Sequence, residues 1–471
     1  MLNEIITPWE EPIDQQGFFV PDYIGKMARR VLENYDLKIK NMVCVTTKAD
    51  KGGAIWKLET DRGPKSLKLL HRRPERSLFS LAAQEYLVAA KARVPEIIQT
   101  KSGAKYVAAG GKLWFVAEWI DPLNPVTKDL EGAKQLCYAL GEFHRLTRGF
   151  TPPSEAEVSS RLYKWPKQYG KILRKMEWFR NIALLYKDRA ASQRILEVLD
   201  HFEKQARESY QRLMSSKYSE LIQLGNEYWG LAHQDYGWSN GQMGPGGMWI
   251  IDLDGVSYDL AIRDLSKLIS GSMADLGEWN YEWAKGMIEA YNKANPIPPE
   301  LYDILLIDLS LPLDFYKNVK EMVYDPELFL NDETKVMIDR IVETDRTKRA
   351  VLEKLEENRG IATGEMAWET IAGRPKSLRS GTWELPAMER QPMMADSAEE
   401  KAKKKNKKKE KYGKQSFEMD EELEKERKKQ LKKEKKKLKK LEKKLKKKEE
   451  KKLKKEKKKD KKKDRKEGDA A

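Results

Sequence analysis

Residues 231–243, LAHQDYGWSNGQM, are followed by 248–255, MWIIDLDG, and by 262–265, IRDL. These three stretches decide how the chain is organised. His233, Asp235 and Asn240 stand in the spacing H-x-D-x-x-x-x-N, and Asp252 comes twelve residues after Asn240, behind the apolar run 248–251. Three fixed residues match by chance often. A match set between short apolar segments, with a glycine turn at 244–247 and a trailing Arg-Asp-Leu, does not.

The residue types suit one kind of chemistry. Moving a phosphoryl group takes a carboxylate to orient and deprotonate the attacking hydroxyl, and an amide with a second carboxylate to hold magnesium against the phosphates. Asp235, Asn240 and Asp252 supply these in order. Asp254 stays open between a second metal ligand and a carboxylate that caps its own loop.

Upstream of these motifs, apolar segments alternate with turn residues. Strands are expected over 38–47, 54–60, 66–70, 106–109 and 113–119, with glycine-bearing turns at 49–53, 61–64 and 110–111. Between the third and fourth strands, Leu78, Leu81, Ala82, Tyr86 and Ala89 recur at helical spacing, which predicts one helix over 75–91. After Pro122 and Pro125 the pattern turns helical. Helices are expected over 130–146, 165–186, 192–215, 262–271, 278–292, 299–306 and 327–358, interrupted by a short hairpin built from 231–240 and 248–254. The fold class is therefore α+β in two lobes: a small antiparallel sheet lobe with one helix over 1–120, and a larger helical lobe carrying the catalytic loop over 121–358. A cleft between them is expected. Residues 359–395 read as a linker, and 396–471 as a low-complexity lysine-rich tail, solvated and partly helical.

Charge is divided the same way. The tail holds 37 Lys and Arg against 19 Asp and Glu, whereas residues 1–395 hold 54 against 56. The high pI belongs to the tail, so the globular part is not read as a polyanion-binding domain. The tail is open between a polyanion or assembly anchor and a solubilising spacer; without aromatics among its lysines after Phe417, base stacking is not indicated. Cys44 and Cys137 stand far apart and support neither a disulfide framework nor a zinc site, which fits synthesis in a reducing cytoplasm. The first seventeen residues lack the basic start and apolar core of a secretory signal, and no apolar run is long enough for a transmembrane segment.

HQDYGWSN (233–240), IIDLDG (250–255) and RDLSKL (263–268) resemble the aminoglycoside phosphotransferase and choline kinase branch of the protein kinase-like fold. Within it the chain most resembles the CotS family of spore coat proteins, and SLKLLHR (66–72), FSLAAQEYL (79–87), LWFVAEWI (113–120) and LGEFHRLTRGF (140–150) agree with this. The resemblance covers about residues 25–345 and not the tail. It implies that Lys68 pairs with nucleotide phosphates, that Glu85 is its ion-pair partner, and that Glu118, Trp119 and Ile120 form the hinge offering backbone groups to an adenine base. On the residues alone, the alternative for Lys68 is an edge-strand solvent residue and for Glu85 the wet face of a helix. His233 resembles the histidine that buttresses the catalytic loop, Asp264 the carboxylate that anchors it through backbone hydrogen bonds, and His144 a packed, hydrogen-bonded histidine. There are departures: residues 46–56 hold no G-x-G-x-x-G, Gln234 stands where protein kinases have arginine, and Ser239 where glycine is usual.

By resemblance the cofactors are ATP or another nucleoside triphosphate with Mg2+. The partners are a hydroxyl-bearing substrate, spore coat proteins, and a polyanion on the tail; the place is the coat, after synthesis in the mother cell. Two functions follow: a phosphotransferase acting on a hydroxyl of a small molecule or coat component, or a catalytically silent coat scaffold with the tail as its adhesive segment. Thirteen tryptophans are read as core, with an aromatic cage for a cationic substrate as the alternative and 163–169 as the place for substrate contacts.

Overall fold

A computed structural model of the protein describes residues 4–10, 17–362 and 364. The tail and nearly all of the linker expected after 358 lie outside the described residues. Helix α1 (Asp22–Leu32) precedes strands β1 (Ile39–Lys48), β2 (Gly53–Thr60) and β3 (Gly63–Leu69), then α2 (Pro74–Ala89), β4 (Ile97–Ile98), β5 (Val107–Ala109) and β6 (Lys112–Glu118). The antiparallel sheet runs β1-β2-β3-β6-β4, with β5 on β6. Each of its faces carries a helix, as the two-residue alternation of strand side chains dictates. Leu67, Leu69, Trp114 and Val116 pack with Ile24, Met27 and Val31 of α1, while Leu113, Phe115 and Ala117 pack with Leu78 and Leu81 of α2. Trp56 and Trp114 stack at 5.7 Å in the first core.

The expectation of five strands and one helix is thus corrected in number. The two-residue β4 is too short to leave a periodic trace, whereas α1 shows buried Ile24, Met27, Ala28, Val31 and Leu32 at helical steps after Pro21. That signal was legible.

The helical lobe comprises α3 (Leu130–Thr147), α4 (Trp165–Leu185), α5 (Ala190–Ser215), α6 (Tyr218–Leu221) and α7 (Asn226–Trp229), then β7 (Leu231–Ala232), β8 (Gly241–Gly244), β9 (Gly247–Ile250) and β10 (Ser257–Tyr258). It closes with α8 (Ile262–Leu276), α9 (Tyr281–Ala294), α10 (Pro299–Ser310), α11 (Leu313–Tyr324), α12 (Pro326–Phe329), α13 (Asp332–Arg346) and α14 (Lys348–Glu357). The hairpin pairs β8 with β9, whereas β7 pairs with β10, so residues 231–240 are not a hairpin arm as expected. The long helix expected over 327–358 is three: Asn331 and Thr334 close a capping box that starts α13, and α14 begins after Thr347. No described helix is long and apolar enough to cross a membrane.

Gly230 sets the entry to β7 and the catalytic loop. Its φ of 72° with ψ of −154° is open to glycine alone, and an added Cβ would lie 2.6 Å from Thr147 Oγ1 and 2.9 Å from the Arg148 nitrogen. Gly230→Ala is expected to lower the unfolding free energy by about 2–4 kcal/mol, read from the urea midpoint; an unchanged midpoint would contradict this geometry.

Candidate active site

Lys68 lies in β3, which is central, flanked by β2 and β6; the solvent-edge alternative therefore does not apply. Alternation puts its side chain opposite Leu67 and Leu69, on the side of its cross-strand neighbour Phe115. There Nζ lies 2.7 Å from Asp252 Oδ1 and 2.7 Å from Asp254 Oδ1. Burial disfavours charge on Lys68, but Asp254 and Asp252 outweigh it and raise its pKa. Burial likewise pushes Asp252 up, and Lys68 and then Lys48 pull it well below the usual carboxylate range. Two carboxylates sit side by side because a cation sits between them.

Asp252 follows β9 with φ of 58°, and Gln234 in the catalytic loop has φ of 75°; among the described residues only Lys91 joins them as a non-glycine with positive φ. Such backbone is costly and is held where surrounding bonds fix it. At Gln234 they are plain. Asp264, fully buried, accepts from the His233 nitrogen at 2.5 Å and the Gln234 nitrogen at 3.0 Å, and His144 Nε2 is 3.3 Å away. Burial alone would raise the Asp264 pKa, but the bond from His144 and the charge of Lys267 hold it below the carboxylate range.

His233 Nε2 meets the Ile251 carbonyl at 2.9 Å and Nδ1 accepts from the Asp235 nitrogen at 3.4 Å. These bonds fit the neutral tautomer protonated at Nε2, and burial lowers the pKa accordingly. His233 thus ties the catalytic loop to the strand that delivers Asp252. His144 bonds Tyr291 at 2.9 Å, buried as expected. Asp235 itself is exposed, and Asn240 Nδ2 donates to the Asp235 carbonyl at 2.7 Å, so its Oδ1 is the end left for a ligand.

Glu85 is corrected. Its carboxylate pairs with Lys105 at 2.6 Å, while Lys68 is taken by Asp252 and Asp254. Lys105, in the loop before β5, gives no periodic signal from which this could be read. At the hinge, Glu118 pairs with Lys65 at 2.9 Å and its N–H donates to the Glu96 carbonyl; the Trp119 N–H reaches the Pro64 carbonyl at 3.4 Å. Among the described residues no such bond engages the Ile120 N–H.

Two side chains not foreseen as site residues join the carboxylates. Lys48, ending β1, stands 3.7 Å from Asp252 and 3.9 Å from Asp254, and His71 Nδ1 stands 4.0 Å from Asp254. Asp254 makes no hydrogen bond to its own loop among the described residues, and every ion contact it has is to these cleft cations. No cluster of three or more His, Cys, Asp and Glu able to hold a metal occurs among the described residues. A divalent cation would therefore draw on Asp252, Asp254, the Asn240 amide and phosphate oxygens, an all-oxygen set of the kind magnesium takes. The 2.7 Å approach of one ammonium to both carboxylates marks the place as made for positive charge.

Among the described residues the tryptophans split: Trp56 and Trp279 are core, whereas Trp119, Trp178, Trp238 and Trp249 are half-buried. Trp114, Trp165 and Trp229 are buried, and the Trp165 face is filled by Arg263 at 3.8 Å. Tyr169 is buried on Asp308, whereas Tyr163 is exposed.

A sheet lobe with a central strand lysine, joined to a helical lobe that carries this loop pair, defines a kinase-like fold. The chain matches the model of the phosphotransferase enzyme family over residues 51–298, more than half its length, and it belongs to that family. It is similar to Spore coat protein S of Bacillus subtilis (strain 168), 26% identical over 333 residues that cover 70% of this chain and 94% of that one. An aminoglycoside phosphotransferase from Alicyclobacillus acidocaldarius shares the fold, with a TM-score of 0.59 at 18% identity, over 74% of this chain and 98% of that one. The amicoumacin kinase hAmiN in complex with AMP-PNP, Ca2+ and Ami aligns over 73% of this chain and 96% of its own, with a TM-score of 0.47 at 15% identity.

Proposed function

We propose that this protein is a nucleoside-triphosphate-dependent phosphotransferase with a hydroxyl acceptor, on a small molecule or a coat component. The observation that carries the reading is the convergence of Lys68, Asp252 and Asp254 beside a loop presenting Asp235 and Asn240. Lys68 and Lys48 hold the phosphates, the hinge at Ile120 meets the base, and Asn240, Asp252 and Asp254 hold Mg2+. Once bound, that ion neutralises charge on the phosphate oxygens. Asp235 orients the acceptor hydroxyl. Its oxygen bonds to the γ-phosphorus, the bond from that phosphorus to the bridging oxygen breaks, the electron pair leaves with the nucleoside diphosphate, and the proton passes to Asp235.

Similarity to a spore coat protein supports residence in the coat, and the tail's lysine surplus supports a polyanion or assembly anchor. The similarity equally supports a second reading, in which the fold is a silent scaffold. Asp235→Asn separates the two. Transfer from ATP to washed spore-coat extract is expected to fall about 10²–10⁴-fold, with nucleotide affinity within about 2-fold of the parent. Transfer at the parent rate would remove Asp235 from the reaction, and no transfer by the parent chain would favour the scaffold.

A further inference from the structure

Beside the catalytic loop, on the side of α2, guanidinium groups gather without acids to neutralise them. Arg76, in the first turn of α2, donates from Nη2 to the Val256 carbonyl at 2.7 Å, while its Nη1 is buried with no hydrogen-bond partner. The Nε of Arg72 is likewise buried and unpartnered. Arg161 donates from Nη1 to Gln234 Oε1 at 2.9 Å, one residue before Asp235. The loop bearing Arg161 is stitched in place: the Glu157 N–H bonds the Glu75 carbonyl at 3.0 Å, Tyr258 bonds Ser159 at 2.9 Å, and Arg161 bonds Tyr258 at 2.7 Å. Glu157, which partly relieves Arg76, is itself ion-paired with Arg73. Arg72, Arg76 and Arg161 make no ion pair among the described residues. Burial and then the charges of Arg72 and Arg161 pull Arg76 down to about 10, against the partial relief that Glu157 gives.

A half-buried guanidinium with a buried, unpartnered donor and like-charged neighbours is a ready site for a ligand that supplies the missing acceptor. Planar, forked donors match the oxygens of phosphate and carboxylate. We propose that Arg72, Arg76 and Arg161 bind an oxyanion, phosphate or carboxylate, carried by the phosphoryl acceptor, so that the acceptor is an anionic alcohol. This rests on the phosphotransferase reading and gives the acceptor a sign of charge opposite to that of an aromatic cation cage.

Two arms test it. In the first, inorganic phosphate is titrated calorimetrically into the full chain at about 0.3 M salt, which screens the tail. Arg76→Gln and Arg161→Gln are each expected to weaken binding at least about 10-fold, the worth of one charge-assisted bond. The same losses should appear in a Lys68→Ala background, which takes the nucleotide-phosphate lysine out of the readout, and Arg76→Lys should recover part of the loss while confirming that the region folds. No binding by the parent, or loss in Lys68→Ala alone, overturns the site. In the second arm, spore-coat extract is separated on an anion exchanger and each fraction is offered with ATP and Mg2+. Acceptor activity retained on the exchanger is the expected result; activity confined to the unretained fraction overturns the anionic acceptor. Activity in neither fraction defeats the phosphotransferase reading and with it the acceptor assignment, while the phosphate titration still decides the oxyanion site.

Discussion

Asp252→Ala is expected to abolish the rise in melting temperature that ATP with Mg2+ gives the parent chain. Asp252 contributes one of two carboxylates on Lys68 and, in the reading above, a metal ligand that no neighbour can replace. Asn240 is committed through its amide nitrogen to the Asp235 carbonyl, and Asp254 already meets Lys68. Removing Asp252 leaves Lys68 paired with Asp254 at 2.7 Å, so the nucleotide-free variant keeps its buried ammonium satisfied and folds. Binding and stability are thereby separated. A ligand present at 100 times its Kd adds about 2.7 kcal/mol to the native state, and a loss of affinity of about 100-fold removes nearly all of it. Differential scanning fluorimetry of both proteins, with and without nucleotide and metal, reads this directly. A rise of equal size in the variant would take Asp252 out of the metal site.

Asp264→Ala is expected to carry the largest stability loss, about 3–5 kcal/mol by urea unfolding. The carboxylate lies fully buried and collects the His233 and Gln234 nitrogens, with His144 and Lys267 beside it. Its removal strands two backbone donors and a histidine in the interior. It also frees Gln234 from the bonds that keep φ at 75°. Asp264→Asn, which keeps one acceptor oxygen, should lose less. The pH dependence has a definite sign. Because the folded pKa lies below the unfolded value, the contribution is full above about pH 4 and is lost as pH falls through the lower folded value. The gap between parent and Asp264→Ala should therefore narrow in acid. A variant within about 0.5 kcal/mol of the parent at neutral pH would contradict the anchoring role.

Much of this arrangement was legible in the chain because its elements announce themselves locally. The strands over 53–69 and the helices from 130 to 215 carry their periodicity in full, and H-x-D-x-x-x-x-N with Asp252 fixes two loops by spacing alone. Lys68 is singled out by the family resemblance, since a strand lysine between apolar residues reads the same at an edge as at the centre of a sheet. The errors arise where tertiary context decides. Glu85 meets Lys105, which stands in a loop that carries no period, rather than Lys68 as the resemblance implies. Lys48 and His71 reach the carboxylates from strand ends, and Arg72 and Arg161 lie in loops with Arg76 in the first turn of α2, places where a charged residue looks the same whether it faces solvent or a cleft. Asn331 and Thr334 mark the break that divides the run 327–358, a cap signal set inside a continuous helical pattern. For α11, Phe315, Val319, Met322 and Val323 lie at helical spacing behind Pro312, and nothing physical hid it.

In the proposed reading Lys68, Asp252, Asp254 and Asn240 together hold nucleotide and metal. Calorimetric titration of the full chain with ATP, in the presence and absence of Mg2+, addresses it most directly. One saturable site whose affinity depends on the divalent ion, and which is lost in Lys68→Ala, is the predicted result; no heat of binding with either addition would contradict it.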